Sequence, residues 1–230
     1  MIGTRRPPVK TGCGQLITCF WAPNSAVTAP TPHSSPTTRP LILASTSTYR
    51  RALLQRLRRP FTAIAPKVDE TGLPDEGPRE RAVRLALAKA QAVADREPGA
   101  MVIGSDQVCA LGGQVLGKPG DAVRNQQQLQ QLSGQTATFF TAASLICVEL
   151  GVWLHHLDTT MCVFRTLTEL EIAAYVAAEK PFDCAGGFKA EGLGISLFER
   201  IDSEDPTGLI GLPLIWLAGA LRQSDAHVPR

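Results

Sequence analysis

Two basic residues of the sequence fall on helix faces that should point into the protein. In "YRRALLQRL", Arg50 shares an i, i+3, i+4, i+7 spacing with Leu53, Leu54 and Leu57. Arg50 also lies in the first turn of this predicted helix, where the macrodipole is mildly unfavourable for a cation. An inward-facing arginine at the positive end of a helix indicates that an anion binds nearby.

The second basic residue is Lys89, in the predicted helix "RERAVRLALAKAQAVADR". Helical spacing puts it in line with Ala82, Leu85 and Val93, opposite the polar face. A lysine at such a position can still carry its charge to solvent along its aliphatic stem, so two interpretations stay open. Lys89 either reaches the surface in this way or serves a buried anionic group.

Two carboxylates and a third cation complete a candidate site. Asp106 follows the apolar run "MVIG" after one serine, and ligands of α/β proteins gather at the carboxyl ends of strands. Glu70 lies in the acidic loop "KVDETGLPDEGP", and Lys118 lies in "LGKPG". Taken singly, these residues fit a turn, a solvated loop and a hairpin. Together with Arg50 and Lys89 they supply what a polyphosphate–metal site requires, because Mg²⁺ binds few protein carboxylates and phosphates need cations.

The elements that must position these residues alternate between strand and helix. Predicted strands include "LILAS", "PFTAIAP", "AMVIGSDQVCAL" and two long segments at 135–149 and 152–165. Predicted helices begin after Ser47, at Pro78, after Asp121, at the Thr168–Glu171 capping box and near Pro213. This alternation predicts an α/β fold with a mixed sheet.

Composition narrows the functional classes. The chain has 230 residues and a net charge of +2, with no dominant basic patch, which argues against a nucleic-acid partner. No apolar run reaches the ~18 residues of a membrane helix. Six cysteines at irregular spacing, without a C-x-x-C pair, favour a reducing compartment, and we expect a cytoplasmic protein.

The N-terminal segment differs from the rest of the chain. Residues 23–40 are rich in Pro, Ser and Thr, so 1–39 is expected to be a disordered leader or the product of a start codon assigned too far upstream. The apolar stretch 13–22 after Lys10 also imitates a secretory signal. The folded domain is expected to span 40–230.

Six motifs occur in an order that resembles the Maf family of nucleoside triphosphate pyrophosphatases. They are "LILASTSTYRRALL", "PKVDE", "LALAKA", "IGSDQV", "GKP" and "CAGGFKAEGLGISLFERI", and the resemblance covers residues 41 to about 222. It implies hydrolysis of a nucleoside triphosphate substrate between its α- and β-phosphates. The implied fold is a Maf/ITPase-like mixed sheet in an elongated, two-lobed domain with a central cleft, and homodimers are common.

The resemblance also implies roles for individual residues. Asp106 matches the proton acceptor that activates water, directly or through a divalent cation such as Mg²⁺ or Mn²⁺, for which Glu70 and Asp106 are the candidate ligands. The matching phosphate and metal region comprises Ser45, Ser47, Arg50, Glu70, Lys89 and Lys118. Thr48 stands where the family commonly has proline, which predicts a looser loop with the site retained.

Three further positions resemble the branch of the family that acts on 7-methyl-GTP, namely Tyr49, Gln107 and Glu191. An aromatic ring attracts the positively charged methylated base, and a carboxylate can accept hydrogen bonds from guanine N1–H and its amino group. Uracil and thymine have no such pair of donors, so a buried Glu191 would go unpaired beside them. Two alternatives remain: a dTTP/UTP pyrophosphatase, or a nucleotide-sensing regulator of cell division.

Overall fold

The computed structural model describes residues 39–224, so the predictions for residues 1–38 lie outside the described part of the chain. Within it, no helix is both long and apolar enough to cross a membrane. The strands are β1 (Leu41–Leu43), β2 (Thr62–Ala63), β3 (Met101–Leu111), β4 (Gln114–Leu116), β5 (Thr136–Cys147), β6 (Val152–Phe164) and β7 (Phe198–Asp202). The α-helices are α1 (Thr48–Gln55), α2 (Pro78–Ala94), α3 (Ala122–Leu132), α4 (Glu169–Glu179) and α5 (Leu214–Gln223).

The strands form one mixed sheet in the order β2-β1-β3-β5-β6-β7, with β4 paired to β3 beside this path. The strand β1 runs parallel to both β2 and β3, whereas β3, β5, β6 and β7 pair antiparallel. The predicted α/β fold with a mixed sheet is therefore confirmed. The predicted capping box is also present, because Thr168 and Glu171 bond reciprocally at the start of α4.

One edge of β3 is interrupted along its middle. On that edge β1 pairs with residues 101–103 of β3 and β4 pairs with residues 109–111. Among the described strands, none pairs with residues 104–108 on this side, although β5 pairs with them on the other. The gap between the end of β1 and the end of β4 gives side chains from both faces of the sheet access to one space.

Two large apolar cores lie near opposite ends of the long strands. One contains Met101 and Ile103 from the start of β3, packed with residues of α1 and α5. The other contains Cys109 from the end of β3, packed with residues of α3 and α4. The predicted two-lobed arrangement thus takes the form of two cores that share the same strands, with the interruption of the sheet between them.

Helix α2 lies directly on β3 because Gly104 has no side chain. A Cβ at this position would collide with the carbonyl oxygen of Ala86 and the amide nitrogen of Ala90. Ala82, Leu85 and Ala86 are fully buried in this contact. The close packing places the inner face of α2 beside the residues that follow Gly104.

Candidate active site

A cleft with a cavity of about 530 Å³ opens at the interruption of the sheet. A smaller cavity of about 130 Å³ shares several of its lining residues. The sequence-predicted residues that line the larger cavity are Ser45, Ser47, Tyr49, Arg50, Glu70, Lys89, Asp106, Gln107 and Lys118. Glu191 lines the smaller one. The structure therefore brings every predicted site residue to these two adjoining cavities.

The centre of the cleft is an ion-paired trio. The Lys89 ammonium lies 2.7 Å from Asp106 Oδ1 and 2.8 Å from Glu70 Oε1. Lys89 and Asp106 are 5% and 6% exposed, whereas the Glu70 side chain is 59% exposed. Of the two interpretations of Lys89, the structure supports the buried one. Its charge is bound to the two carboxylates in the protein as it stands, and no phosphate is needed to balance it.

The pKa of Glu70 is lowered from its usual value. Partial burial of its carboxyl opposes ionisation, but the hydrogen bond and charge of Lys89, with the charges of Arg50 and Lys118, outweigh it. The carboxylate form of Glu70 is therefore stabilised by the same cations that would meet a polyphosphate. Its backbone oxygen also accepts a hydrogen bond from Arg81.

Glu70 and Asp106 are two carboxylates of the cleft that could bind a divalent cation. Among residues 39–224 there is no cluster of three or more His, Cys, Asp or Glu side chains suited to hold a metal. Glu70 and Asp106 both reach the Lys89 ammonium, so their oxygens are close neighbours. Such a pair fits Mg²⁺ or Mn²⁺ that arrives with phosphates, since Mg²⁺ in particular is commonly bound by one or two carboxylates plus substrate oxygens.

Arg50 is oriented by a backbone carbonyl. Its Nε donates a hydrogen bond of 2.9 Å to the oxygen of Gly211, and Ser105 Oγ donates to the same oxygen. Desolvation lowers the pKa of Arg50, although the charges of Asp106 and Glu70 oppose this. The guanidinium makes no ion pair within 4.0 Å in the described residues, so its remaining N–H groups are available to an anion in the cleft.

The two loop serines shape the start of α1. Ser47 is the N-cap, and its hydroxyl accepts from the amide of Arg50, while Ser45 Oγ accepts from the amide of Ser47. Thr48 begins the helix with ordinary cap geometry, so the loss of the family's proline leaves the helix start in place. Both hydroxyls line the cleft but already hold the loop together.

Neighbouring residues of β3 serve opposite faces of the sheet. Gly104, Asp106 and Val108 face α2, as the contacts of Gly104 and Asp106 with that helix show. Ser105 and Gln107 face the loop 205–212, to which both donate hydrogen bonds. The Asp106 carboxylate and the smaller cavity thus lie on opposite faces of β3, and both are reached from its interrupted edge.

The smaller cavity combines aromatic, apolar and polar side chains. Tyr49, Gln107 and Glu191 line it together with Phe188 and Cys184. Burial, and then the neighbouring Cys184 thiol at 3.7 Å, raise the pKa of Tyr49, so the ring is a neutral phenol. Sequence reasoning considered Glu191 as a buried group, but its side chain is exposed in the structure. Glu191 can therefore be fully desolvated only when a ligand covers it.

Sequence reasoning missed two features of the site. Arg81 lines the larger cavity, and its spacing of four from Leu85 and eight from Lys89 on α2 could have revealed it. The carbonyl groups of the loop 205–212 orient Arg50 and Gln107, and no residue type signals this.

An α/β fold whose cleft holds a buried lysine bound to two carboxylates, further cations and an aromatic cavity is typical of enzymes that act on nucleotide phosphates. The model of the Maf-like protein family matches residues 40–224. The chain belongs to the Maf family, as the ordered motifs indicated.

Two similar proteins from different bacteria have the same name. A 7-methyl-GTP pyrophosphatase of Polaromonas sp. is 55% identical over 194 residues, 84% of this chain and 87% of that protein. The protein of the same name from Xanthomonas axonopodis pv. citri is 56% identical over 189 residues, 82% and 98% of the two chains. Among solved structures, the Staphylococcus aureus Ham1 protein has a TM-score of 0.46 at 15% identity, covering 81% of this chain and 100% of that one. This last likeness is too distant to bear on function.

Proposed function

We propose that the protein hydrolyses 7-methyl-GTP to 7-methyl-GMP and pyrophosphate. The observation that carries this proposal is the meeting of Tyr49, Gln107 and Glu191 in one cavity beside the Lys89–Asp106 pair. The relatives' shared name supports the same substrate. A base held in the smaller cavity would leave its phosphates in the larger one, where the cations lie.

The reaction is a displacement at the α-phosphorus. The oxygen of a water molecule forms a bond to that phosphorus, the bond to the bridging oxygen breaks, and pyrophosphate leaves. Asp106 accepts the proton that the water loses. Arg50, Lys118 and Arg81 line the space that the phosphates would fill and offset their growing charge.

A divalent cation, Mg²⁺ or Mn²⁺, would neutralise phosphate charge, and Glu70 and Asp106 would hold it. Lys89 would then keep the two carboxylates at a fixed spacing, since it bonds to both. A homodimer and a cytoplasmic location remain predictions from the sequence.

Base selection follows from charge. The methylated guanine ring is positive, and the neutral ring of Tyr49 would attract it by about 0.5–2 kcal/mol. Glu191 would accept hydrogen bonds from N1–H and the amino group, and it would offset the ring charge. Because Glu191 is exposed without a ligand, a pyrimidine that covered it would desolvate the carboxylate and offer it only the single N3–H donor in place of the guanine pair.

The decisive experiment compares kcat/KM for 7-methyl-GTP, GTP, UTP and dTTP, each with Mg²⁺ and with Mn²⁺. We expect 7-methyl-GTP to be the best substrate, with pyrophosphate rather than inorganic phosphate as the product. A preference for UTP or dTTP would establish the pyrimidine alternative instead. Binding of nucleotides without any pyrophosphate release would favour the nucleotide-sensing regulator.

A further inference from the structure

The side-chain amide nitrogen of Gln107 contacts three acceptors of the protein itself. Nε2 lies 3.0 Å from the oxygen of Gly208, 2.9 Å from the oxygen of Leu209 and 3.0 Å from Oγ1 of Thr141. Gln107 and Thr141 are directly opposite each other on β3 and β5. The amide group is therefore held from the neighbouring strand and from the loop 205–212 at once.

The direction of each hydrogen bond in this cluster is fixed by chemistry. Carbonyl oxygens only accept, so Gly208 and Leu209 require a donor from Gln107. The Thr141 hydroxyl donates its one hydrogen to the oxygen of Gly208 at 2.9 Å, so it can only accept from Gln107. The contacts with the two carbonyls therefore require the nitrogen of the amide, and a flipped amide would place an oxygen against both of them. The two hydrogens of Nε2 are shared among three acceptors, of which Thr141 Oγ1 is the one supplied by a side chain.

The other end of the amide is left for a ligand. Among residues 39–224, no donor bonds to Gln107 Oε1, and this atom is not among the buried side-chain atoms without a partner. Gln107 lines both cavities. The residue thus presents an acceptor and cannot present a donor without breaking its contacts.

We propose that Thr141, which is fully buried, is a positioning residue that fixes Gln107 as an acceptor for the exocyclic amino group of the base. This rests on the proposed function, in which Glu191 takes N1–H and one amino hydrogen. The second amino hydrogen is then left for Gln107 Oε1. Three acceptor oxygens face three N–H bonds, which selects a guanine edge and rejects bases that present carbonyl oxygens there.

The test measures the ratio of kcat/KM for 7-methyl-GTP to that for 7-methyl-ITP, which lacks the amino group. Wild type should favour the guanine nucleotide. Thr141→Val removes the hydroxyl and should reduce the ratio by about two- to tenfold, the worth of one neutral hydrogen bond. Thr141→Ser keeps the hydroxyl and should therefore keep the wild-type ratio. Thr138→Val, on the same strand but outside both cavities, should leave the ratio unchanged.

The proposal is overturned if Thr141→Val keeps the wild-type ratio, or if Thr141→Ser loses it equally. Should Thr141→Val fail to fold, Gln107→Met tests the acceptor that Thr141 is proposed to position, because it keeps the side-chain length without the amide. An unchanged ratio in that variant also overturns the proposal.

The ratio of kcat/KM for GTP to that for ITP is measured in the same variants. The proposed substrate and the proposed role of Thr141 can then fail separately. If wild type does not use 7-methyl-GTP but its GTP-to-ITP ratio falls in Thr141→Val, the proposed substrate is wrong and the role of Thr141 stands. Where turnover is absent, Kd values for the four nucleotides give the ratios, and equal Kd values within each pair overturn the inference.

Discussion

The Lys89 ammonium lies 2.7 Å from Asp106 Oδ1, and both side chains are buried between α2 and β3. The pair joins the inner face of a helix to the middle of the sheet. An unpaired charge in such a place is strongly unfavourable, so each group depends on the other. The centre of the site is accordingly also a structural contact.

Asp106→Asn should reduce kcat by about 10²–10⁴, because asparagine keeps the shape but accepts no proton at neutral pH. Nucleotide binding, measured as Kd, should largely survive. Asp95→Asn is the control, since Asp95 is an exposed residue at the end of α2. A variant at Asp106 that retained a tenth of the wild-type kcat would remove this residue from the centre of the mechanism.

Arg81→Ala should lower kcat/KM by about tenfold or more, the worth of a hydrogen bond to a charged group. Arg81 lines the cleft and also bonds to the backbone of Glu70, so loss of loop support must be separated from loss of charge. Arg84→Ala provides the comparison, because Arg84 holds the same loop through Thr71 and Glu76 but does not line the cavity. Equal losses in the two variants would assign Arg81 a supporting role only.

Glu191→Gln should lower kcat/KM for 7-methyl-GTP by a factor that corresponds to about 1.5–3 kcal/mol. The amide loses the charge that offsets the methylated ring and gains a donor that a pyrimidine carbonyl can use. Activity on UTP should therefore rise in relative terms, and further with Tyr49→Arg and Gln107→Thr. A constant ratio of the two substrates in wild type, single and triple variants would show that these residues do not read the base.

Glu76→Gln should destabilise the protein near neutrality and not in strong acid. The hydrogen bond from Arg84 lowers the pKa of Glu76 from 4.5 to about 2. Because the folded-state pKa is depressed, this stabilisation is fully present above pH 4.5 and is lost as the pH falls towards 2. The difference in Tm between wild type and variant should shrink across that window. A difference that stayed constant down to pH 2 would contradict the ion pair.

Deletion of residues 1–38 should leave the Tm and kcat/KM of the protein unchanged. The matched family region begins at residue 40, and the described fold begins at residue 39. A large fall in Tm would mean that the domain boundary lies further upstream.

The sequence predicted the fold well where a local pattern dictates it. The period of α2 placed Lys89 among alanines and leucines, and the run before Asp106 marked the strand. The expectation that Asp106 lies at the carboxyl end of this strand was wrong, because β3 continues to Leu111 and it is the pairing with β1 that ends at Ile103. The capping box of α4 is equally local. These features depend on side-chain type and spacing, which the sequence displays directly.

The rest of the site depends on backbone groups that every residue has. The oxygens of Gly208, Leu209 and Gly211 orient Gln107 and Arg50, but a carbonyl carries no signature in the sequence. Their placement follows from Asp205, whose carboxylate accepts from Thr207 and from the start of α5. Such long-range loop geometry is settled only when the whole chain has folded.

Asp106 and Gln107 are adjacent in β3 and face opposite sides of the sheet, and this restricts insertions and deletions in the strand. One residue inserted into or deleted from the first half of the strand would turn the carboxylate toward the loop 205–212 and the amide toward α2. Both functions would be lost in a single step, although every residue would still be present. The first half of β3 can therefore vary by substitution but not in length.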